Sequence, residues 1–191
     1  MIGAFTRGPG RTVAIELHSV EARLLADLFE SLCDLLGNED GEESKPDADP
    51  LAEQLGLSGL GDGTAAAAPR DPALARLLPD AYPDDPEASA EFRRFTRGDL
   101  TAQRRERAET AVRTLDRTSD GGRLTLQPDE SAAWLGALND LRLVLGTRLE
   151  IVRDGQEPGE GLNRDDPRST TVPIYQYLGF LQETLIEAMS A

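Results

Sequence analysis

Val13, Ile15 and Leu17 fall at every second position, the two-residue period of a strand with one buried face. With Ile2 to Thr6 before them and a Gly-Pro-Gly turn over Arg7 to Gly10, they predict an antiparallel hairpin. Two strands alone are marginal, so this ribbon has to pack on helices. The period then changes. From Ser19 onward Leu24, Leu25, Leu28, Phe29, Leu32, Leu35 and Leu36 form one stripe at helical spacing, and Gly37 closes it.

Asn38 to about Pro50 carries no apolar pattern and reads as a disordered linker. "DPLAEQLGL" and "DPALARLL" each pair an Asp N-cap with Pro at the first helical position, which predicts two short helices. Pro86 to Arg117 is a longer helical region, with Phe92 and Phe95 near its start, Gly98 as a break point and Ala108, Ala111, Val112 and Leu115 as a later seam. Gly121 and Gly122 end it, "RLTL" makes a third strand, and Pro128 to about Ile151 is a helix apolar around much of its circumference. Pro173 opens a terminal helix on Ile174, Leu178, Leu181, Leu185 and Met189, with Tyr175, Tyr177 and Phe180 widening the apolar face.

A shift of 109 residues superposes Ile15 on Leu124, Glu21 on Glu130, Leu25 on Trp134, Phe29 on Leu138 and Gly37 on Gly146. The match reads equally as a duplicated strand–helix unit or as two copies of a common pattern, since one period is weak repeat evidence. Either way it predicts the third strand added to the hairpin ribbon and the two helices packed side by side beneath it. The fold class expected is therefore mainly α: one helical domain over residues 1–191 with a small antiparallel ribbon. Residues 38–70 form an acidic, Gly/Ala-rich mobile linker or insertion within it.

Charge narrows the function classes. The formal net charge of −15 opposes free-standing binding to duplex DNA, which needs cations to replace phosphate counterions. The charge is also segregated. Residues 37–91 hold fourteen acidic side chains against Lys45, Arg70 and Arg76, whereas residues 92–118 hold eight arginines against four acidic side chains. No apolar run reaches the ~18 residues of a membrane span, the first residues lack an apolar signal core, and Cys33 is the only cysteine, so a soluble cytoplasmic protein without disulfides is expected.

Candidate chemistry is sparse. Cys33 is a redox candidate, set against its reading as a small buried hydrophobe beside Asp34. His18, the sole histidine, cannot organise a metal site or a triad and reads as a strand-end surface residue. The arginines Arg93, Arg94, Arg97, Arg104, Arg105 and Arg107 suit an acidic partner or a surface helix with internal ion pairs. In "WLGALNDLRLVLGTRL", Trp134 to Leu149, the polar residues Asn139, Asp140, Arg142 and Arg148 sit in a helix too apolar to face solvent. They belong to a network across a helix interface or to a partner-binding patch with Trp134.

"VAIELHSVEARLLADLFESL", "FRRFTRGDLTAQRRERA", "WLGALNDLRLVLGTRL" and "YQYLGFLQETLIEAM", in this order around an acidic linker, resemble an actinobacterial family. It was long carried as a domain of unknown function and is now called the oxidative-stress regulator AosR family. The resemblance covers essentially the whole chain outside residues 38–70. It implies a transcriptional regulator, not an enzyme, that works through contacts with an alternative sigma factor and RNA polymerase in the oxidative-stress response. The family's gene neighbours leave a second reading, an adaptor or assembly factor tied to Clp proteolysis or sulfur metabolism. The family's switch is a disulfide between two cysteines separated by three residues. Here Cys33 stands alone, with Phe29 and Gly37 at the positions four away, so that switch does not transfer. Cys33 is left with an intermolecular disulfide, a mixed low-molecular-weight thiol adduct, or no redox role. The expectation is a homodimer through the terminal helix, with no cofactor, metal or membrane partner and no autonomous DNA binding.

Overall fold

The computed structural model describes residues 3–37, 68–153, 155–163 and 165–191. The expected helix "DPLAEQLGL" and nearly all of the 38–70 segment lie outside them. Three strands, β1 (Thr6–Arg7), β2 (Val13–Leu17) and β3 (Gly122–Leu126), form an antiparallel sheet in the order β1-β2-β3. Five α-helices accompany it among the described residues: α1 (Ser19–Gly37), α2 (Pro72–Leu77), α3 (Pro86–Leu115), α4 (Pro128–Arg148) and α5 (Thr171–Ser190). The mainly α class with a small ribbon holds.

The hairpin differs from the expected one in its register. β1 is two residues long and pairs Thr6 with Ala14 and Arg7 with Val13, so the turn falls later, from Gly8 to Thr12. Gly8 N–H donates to Thr12 O at 2.8 Å, and Gly10 and Arg11 both take the left-handed conformation, at φ 64° and 65°. Pro9 has no N–H to give a ladder, and the two left-handed residues make the longer reversal.

The 109-residue match has a structural counterpart. Ile15 pairs directly with Leu124, the residue that the shift assigns to it, so an approximate local two-fold passes between them. Both units then start their helices the same way. His18 N–H donates to Glu21 Oε2 and Gln127 N–H to Glu130 Oε2, each at 2.8 Å, reaching back from the first helical turn as in a capping box. One expectation fails here: α1 and α4 are not simply side by side. They meet at Phe29 and Trp134, but α1 packs chiefly on α3, α3 on α4, α4 on α5, and α2 on α4. The small residues Ala108 and Ala111 of α3, both 0 % exposed, let that helix lie close to its neighbours.

Gly98 does not divide α3, which runs unbroken for 30 residues. A single Gly costs about 1 kcal/mol in a helix interior, too little to break one anchored at both ends. α4 stops at Arg148 because Glu150 turns left-handed, at φ 57°. Ile151 N–H then donates to Gly146 O at 2.9 Å and Glu150 N–H to Thr147 O at 3.1 Å, a Schellman closure. The core gathers Phe5, Val13, Ile15 and Leu17 of the ribbon side, Leu25, Phe29, Leu32 and Leu36 of α1, and Leu178, Leu181 and Leu185 of α5 around Trp134.

Gly121 makes the tightest joint between the two units. At φ +86°, an added Cβ would stand 2.8 Å from Ser19 N and 3.0 Å from Leu17 O. We expect Gly121→Ala to lower stability by at least about 1–2 kcal/mol from the left-handed backbone alone, with the backbone clash adding to it. A urea titration followed by circular dichroism reads this directly.

Candidate interaction site

The most specific stretch of the sequence, Trp134 to Leu149, proves to be architecture. Trp134 is 0 % exposed; its Nε1–H donates to Thr114 Oγ1 at 2.7 Å, and its ring meets Phe5 and Phe29 edge-on at 5.8 and 5.3 Å. It is therefore unavailable to a partner, which corrects its reading as a docking residue. Asn139 is exposed, against the expectation of an interface hydrogen bond, because it falls on the solvent side of α4 while Asp140 and Leu141 turn inward.

Asp140 is 1 % exposed and accepts from Arg104 of α3 through Oδ1, while its Oδ2 has no partner. Burial pushes its pKa up, and the opposing pull of Arg104 and then Arg107 does not cancel that. Arg142 joins α4 to α5, donating to Gln182 Oε1 and stacking over Tyr175 at 5.3 Å. Arg148 is exposed and pairs with Asp71 at the start of α2, so it is a surface tie and not a buried network member.

The arginines of α3 divide along the helix. Arg104 belongs to the Asp140 pair. Arg105 pairs with Glu109 at 2.9 Å and Arg107 donates to Gln103 at 3.0 Å, the internal pairing expected of a surface helix. Arg93 pairs with Asp80, Arg94 lies 5.1 Å over the ring of Phe95, and Arg97 lines a shallow groove with Arg93.

In the first half of α3 the sequence pointed to the arginines, and the structure adds the exposure of the apolar residues between them. Asp85 caps it, accepting from Ala88 N–H at 3.0 Å. Buried Ser89 then clasps the incoming loop, donating to Tyr82 O at 2.7 Å and accepting from Tyr82 N–H at 3.1 Å. Beyond the clasp Phe92, Phe95 and Leu100 are 40, 57 and 42 % exposed, and Tyr82, 50 % exposed, meets Phe92 edge-on at 6.1 Å. Four of the nine large hydrophobic residues exposed among the described residues lie on this arm. The available signal was composition: aromatic residues interleaved with arginine are the residue types enriched in interface centres.

Cys33 is half-buried on α1, in an open depression of about 320 Å³ lined by Glu30, Asp34, Glu109, Val112 and Arg113. Burial raises the thiol pKa, with Glu109, Asp34 and Glu30 adding to the shift against Arg105. The thiolate is the reactive form. Alkylation of Cys33 by iodoacetamide at pH 7 is therefore expected to run slower than that of free cysteine and to accelerate as pH rises past 9. A rate equal to free cysteine would contradict the assignment. His18 is exposed at the strand end. Among the described residues no group of three or more His, Cys, Asp or Glu could hold a metal ion, and no helix is long and apolar enough to cross a membrane.

A family model described as "Domain of unknown function (DUF2017)" matches residues 2–189. The chain belongs to the DUF2017 family. Curated relatives include proteins named "Oxidative stress regulator AosR" from Mycobacterium bovis and Mycobacterium tuberculosis, each 35 % identical over 87 % of this chain and 77 % of the relative. A protein named "Putative oxidative stress regulator AosR" from Mycobacterium leprae is 34 % identical over 90 % of this chain and 79 % of its own length. No solved structure matches. For this DUF2017 chain the geometry leaves two surfaces to consider, the exposed arm of α3 and the depression at Cys33.

Proposed function

We propose that this chain is a non-enzymatic, cytoplasmic regulator of the oxidative-stress response that acts through protein contacts, with an alternative sigma factor and RNA polymerase as partners. The observation that carries the reading is 35 % identity over 87 % of the chain to proteins named as oxidative stress regulators. The physical chemistry supports this mode of action. A surface at −15 repels duplex DNA, and the arm of α3 offers aromatic residues and arginines to a protein. Crosslinking mass spectrometry on tagged protein in its own host, with and without a thiol oxidant and with Cys33→Ser beside wild type, tests it. Capture of sigma factor or polymerase subunits supports the reading, and capture of Clp or sulfur-carrier proteins alone replaces it with the adaptor. Oxidant dependence lost in Cys33→Ser makes Cys33 a one-cysteine sensor through an intermolecular bond; indifference to both removes the sensor and leaves the regulator.

A homodimer through α5 belongs to the same proposal. Leu178, Leu181 and Leu185 of that helix are used inside the core, so Phe180 and Ile186 on its outer side, 38 and 46 % exposed, would form the contact. Light scattering at micromolar concentration is expected to give about twice 20.7 kDa, and a mass of 20.7 kDa would remove the dimer.

A further inference from the structure

We propose that the outer face of α3, a strip of exposed phenylalanines set among carboxylates, docks an arginine-bearing amphipathic helix of a partner protein. The proposal rests on the protein-contact reading above and names the chemistry of the partner's segment. At 100° per residue, Glu91, Phe92, Phe95, Asp99 and Glu106 fall within one sector about 100° wide, and all five are exposed. Phe95, 57 % exposed, has Glu91 one turn before it and Asp99 one turn after it. Arg94 lays its guanidinium over the Phe95 ring at 5.1 Å, so the face of that ring already holds a cation. Tyr82, edge-on to Phe92, extends the apolar surface to the side.

Charge selects the occupant. Among the described residues the carboxylates of Glu91, Asp99 and Glu106 engage no cation, since Arg94 contacts the ring and Arg105 is turned to Glu109. A second copy of this chain is disfavoured by its own symmetry. Antiparallel pairing centred on Phe95 would set Glu91 of one copy against Asp99 of the other, and parallel pairing would set each carboxylate against itself. A nucleic acid strand would bring its phosphates to the same carboxylates. A partner helix with arginines flanking an apolar stripe meets both needs: its apolar side chains cover Phe92 and Phe95, and its arginines reach the carboxylates.

The test uses the full chain and two fluorescein-labelled peptides, an amphipathic sequence of Leu and Arg and its Leu and Gln counterpart, both read by anisotropy. The variants are Phe95→Ser and the pair Glu91→Gln with Asp99→Asn. A control pair, Asp27→Asn with Glu30→Gln on the exposed side of α1, removes the same charge elsewhere. We expect saturable binding of the Arg peptide, weaker binding of the Gln peptide, at least about tenfold loss of affinity in both α3 variants, and a change of at most about twofold in the control. Every substituted position is exposed, and circular dichroism confirms that each variant folds. No saturable binding, equal binding of the two peptides, affinity unchanged in the α3 variants, or an equal loss in the control pair each overturns the proposal. The last result would mean attraction to the net charge of −15 as a whole. A dimer that Phe95→Ser returns to 20.7 kDa in light scattering would replace the partner helix with a second copy. Host capture separates the two levels. Sigma factor or polymerase subunits captured equally by wild type and Phe95→Ser would leave the regulator and remove this strip as its docking site. Their absence from wild-type capture, with peptide binding intact, would remove the sigma factor and polymerase as partners and leave the strip as a docking surface.

Discussion

Trp134→Ala is expected to lower the free energy of unfolding by about 3–5 kcal/mol, the cost of emptying a fully buried aromatic site. Against a total stability on the order of 5–15 kcal/mol, this one change consumes a large share of the margin. The size follows from what the ring joins. Trp134 is 0 % exposed and ties α4 to Phe5 of the ribbon side, to Phe29 of α1 and, through its N–H, to Thr114 of α3. Trp134→Phe keeps an aromatic ring and loses the hydrogen bond. Thr114 Oγ1 still donates to Ala111 O at 2.7 Å, so no donor is orphaned and the expected cost falls to about 1–2 kcal/mol. Trp134 is the only tryptophan, so urea titrations have to be followed by circular dichroism and not by its fluorescence. Equal costs for Ala and Phe would mean that the hydrogen bond, not the ring, dominates.

The same residue shows how far sequence reading reaches. Periodicity identified the stripe of α1, the third strand and the helical character of 128–148, because burial of one face leaves a period that survives any tertiary arrangement. It could not say which polar residues of an almost uniformly apolar helix face inward. Asp140 and Asn139 are adjacent and chemically similar, yet one is buried and the other exposed, a distinction set by where Arg104 of α3 comes to lie. The matched helix starts were legible as Glu21 and Glu130, while the placing of α3 against both α1 and α4 depended on contacts between distant segments. At the candidate site, sequence reading found the arginines but not the exposure of Phe92, Phe95 and Leu100. Apolar residues near a helix start look the same whether a neighbour covers them or not.

The second large effect is expected at the Asp140–Arg104 pair. Arg104→Ala removes the partner of a carboxylate that is 1 % exposed and whose other oxygen already lacks one. An uncompensated buried charge costs about 3–5 kcal/mol. Asp140→Asn should cost less, because it removes the charge together with the burden of burying it, although Arg104 then loses its ion pair. The pH dependence separates the two variants. Burial holds the Asp140 pKa above its usual range, so in the window just above about pH 4 the folded state binds more protons at this site than the unfolded chain does. Stability from this group therefore falls as pH rises through the folded pKa and is regained on acidification. Glu130 runs the opposite way: hydrogen bonding to Arg117 lowers its pKa, and the stability it contributes is lost as pH falls. Removing the Asp140 charge leaves only losses of the second kind, so Asp140→Asn is expected to lose more stability than wild type between pH 7 and pH 4. Arg104→Ala, with its lone carboxylate protonating more readily still, is expected to recover part of its deficit over the same interval. Urea midpoints at the two pH values decide it. Parallel curves for wild type and Asp140→Asn would show that the carboxylate titrates no differently in the folded and unfolded states, and that Arg104 fully offsets its burial.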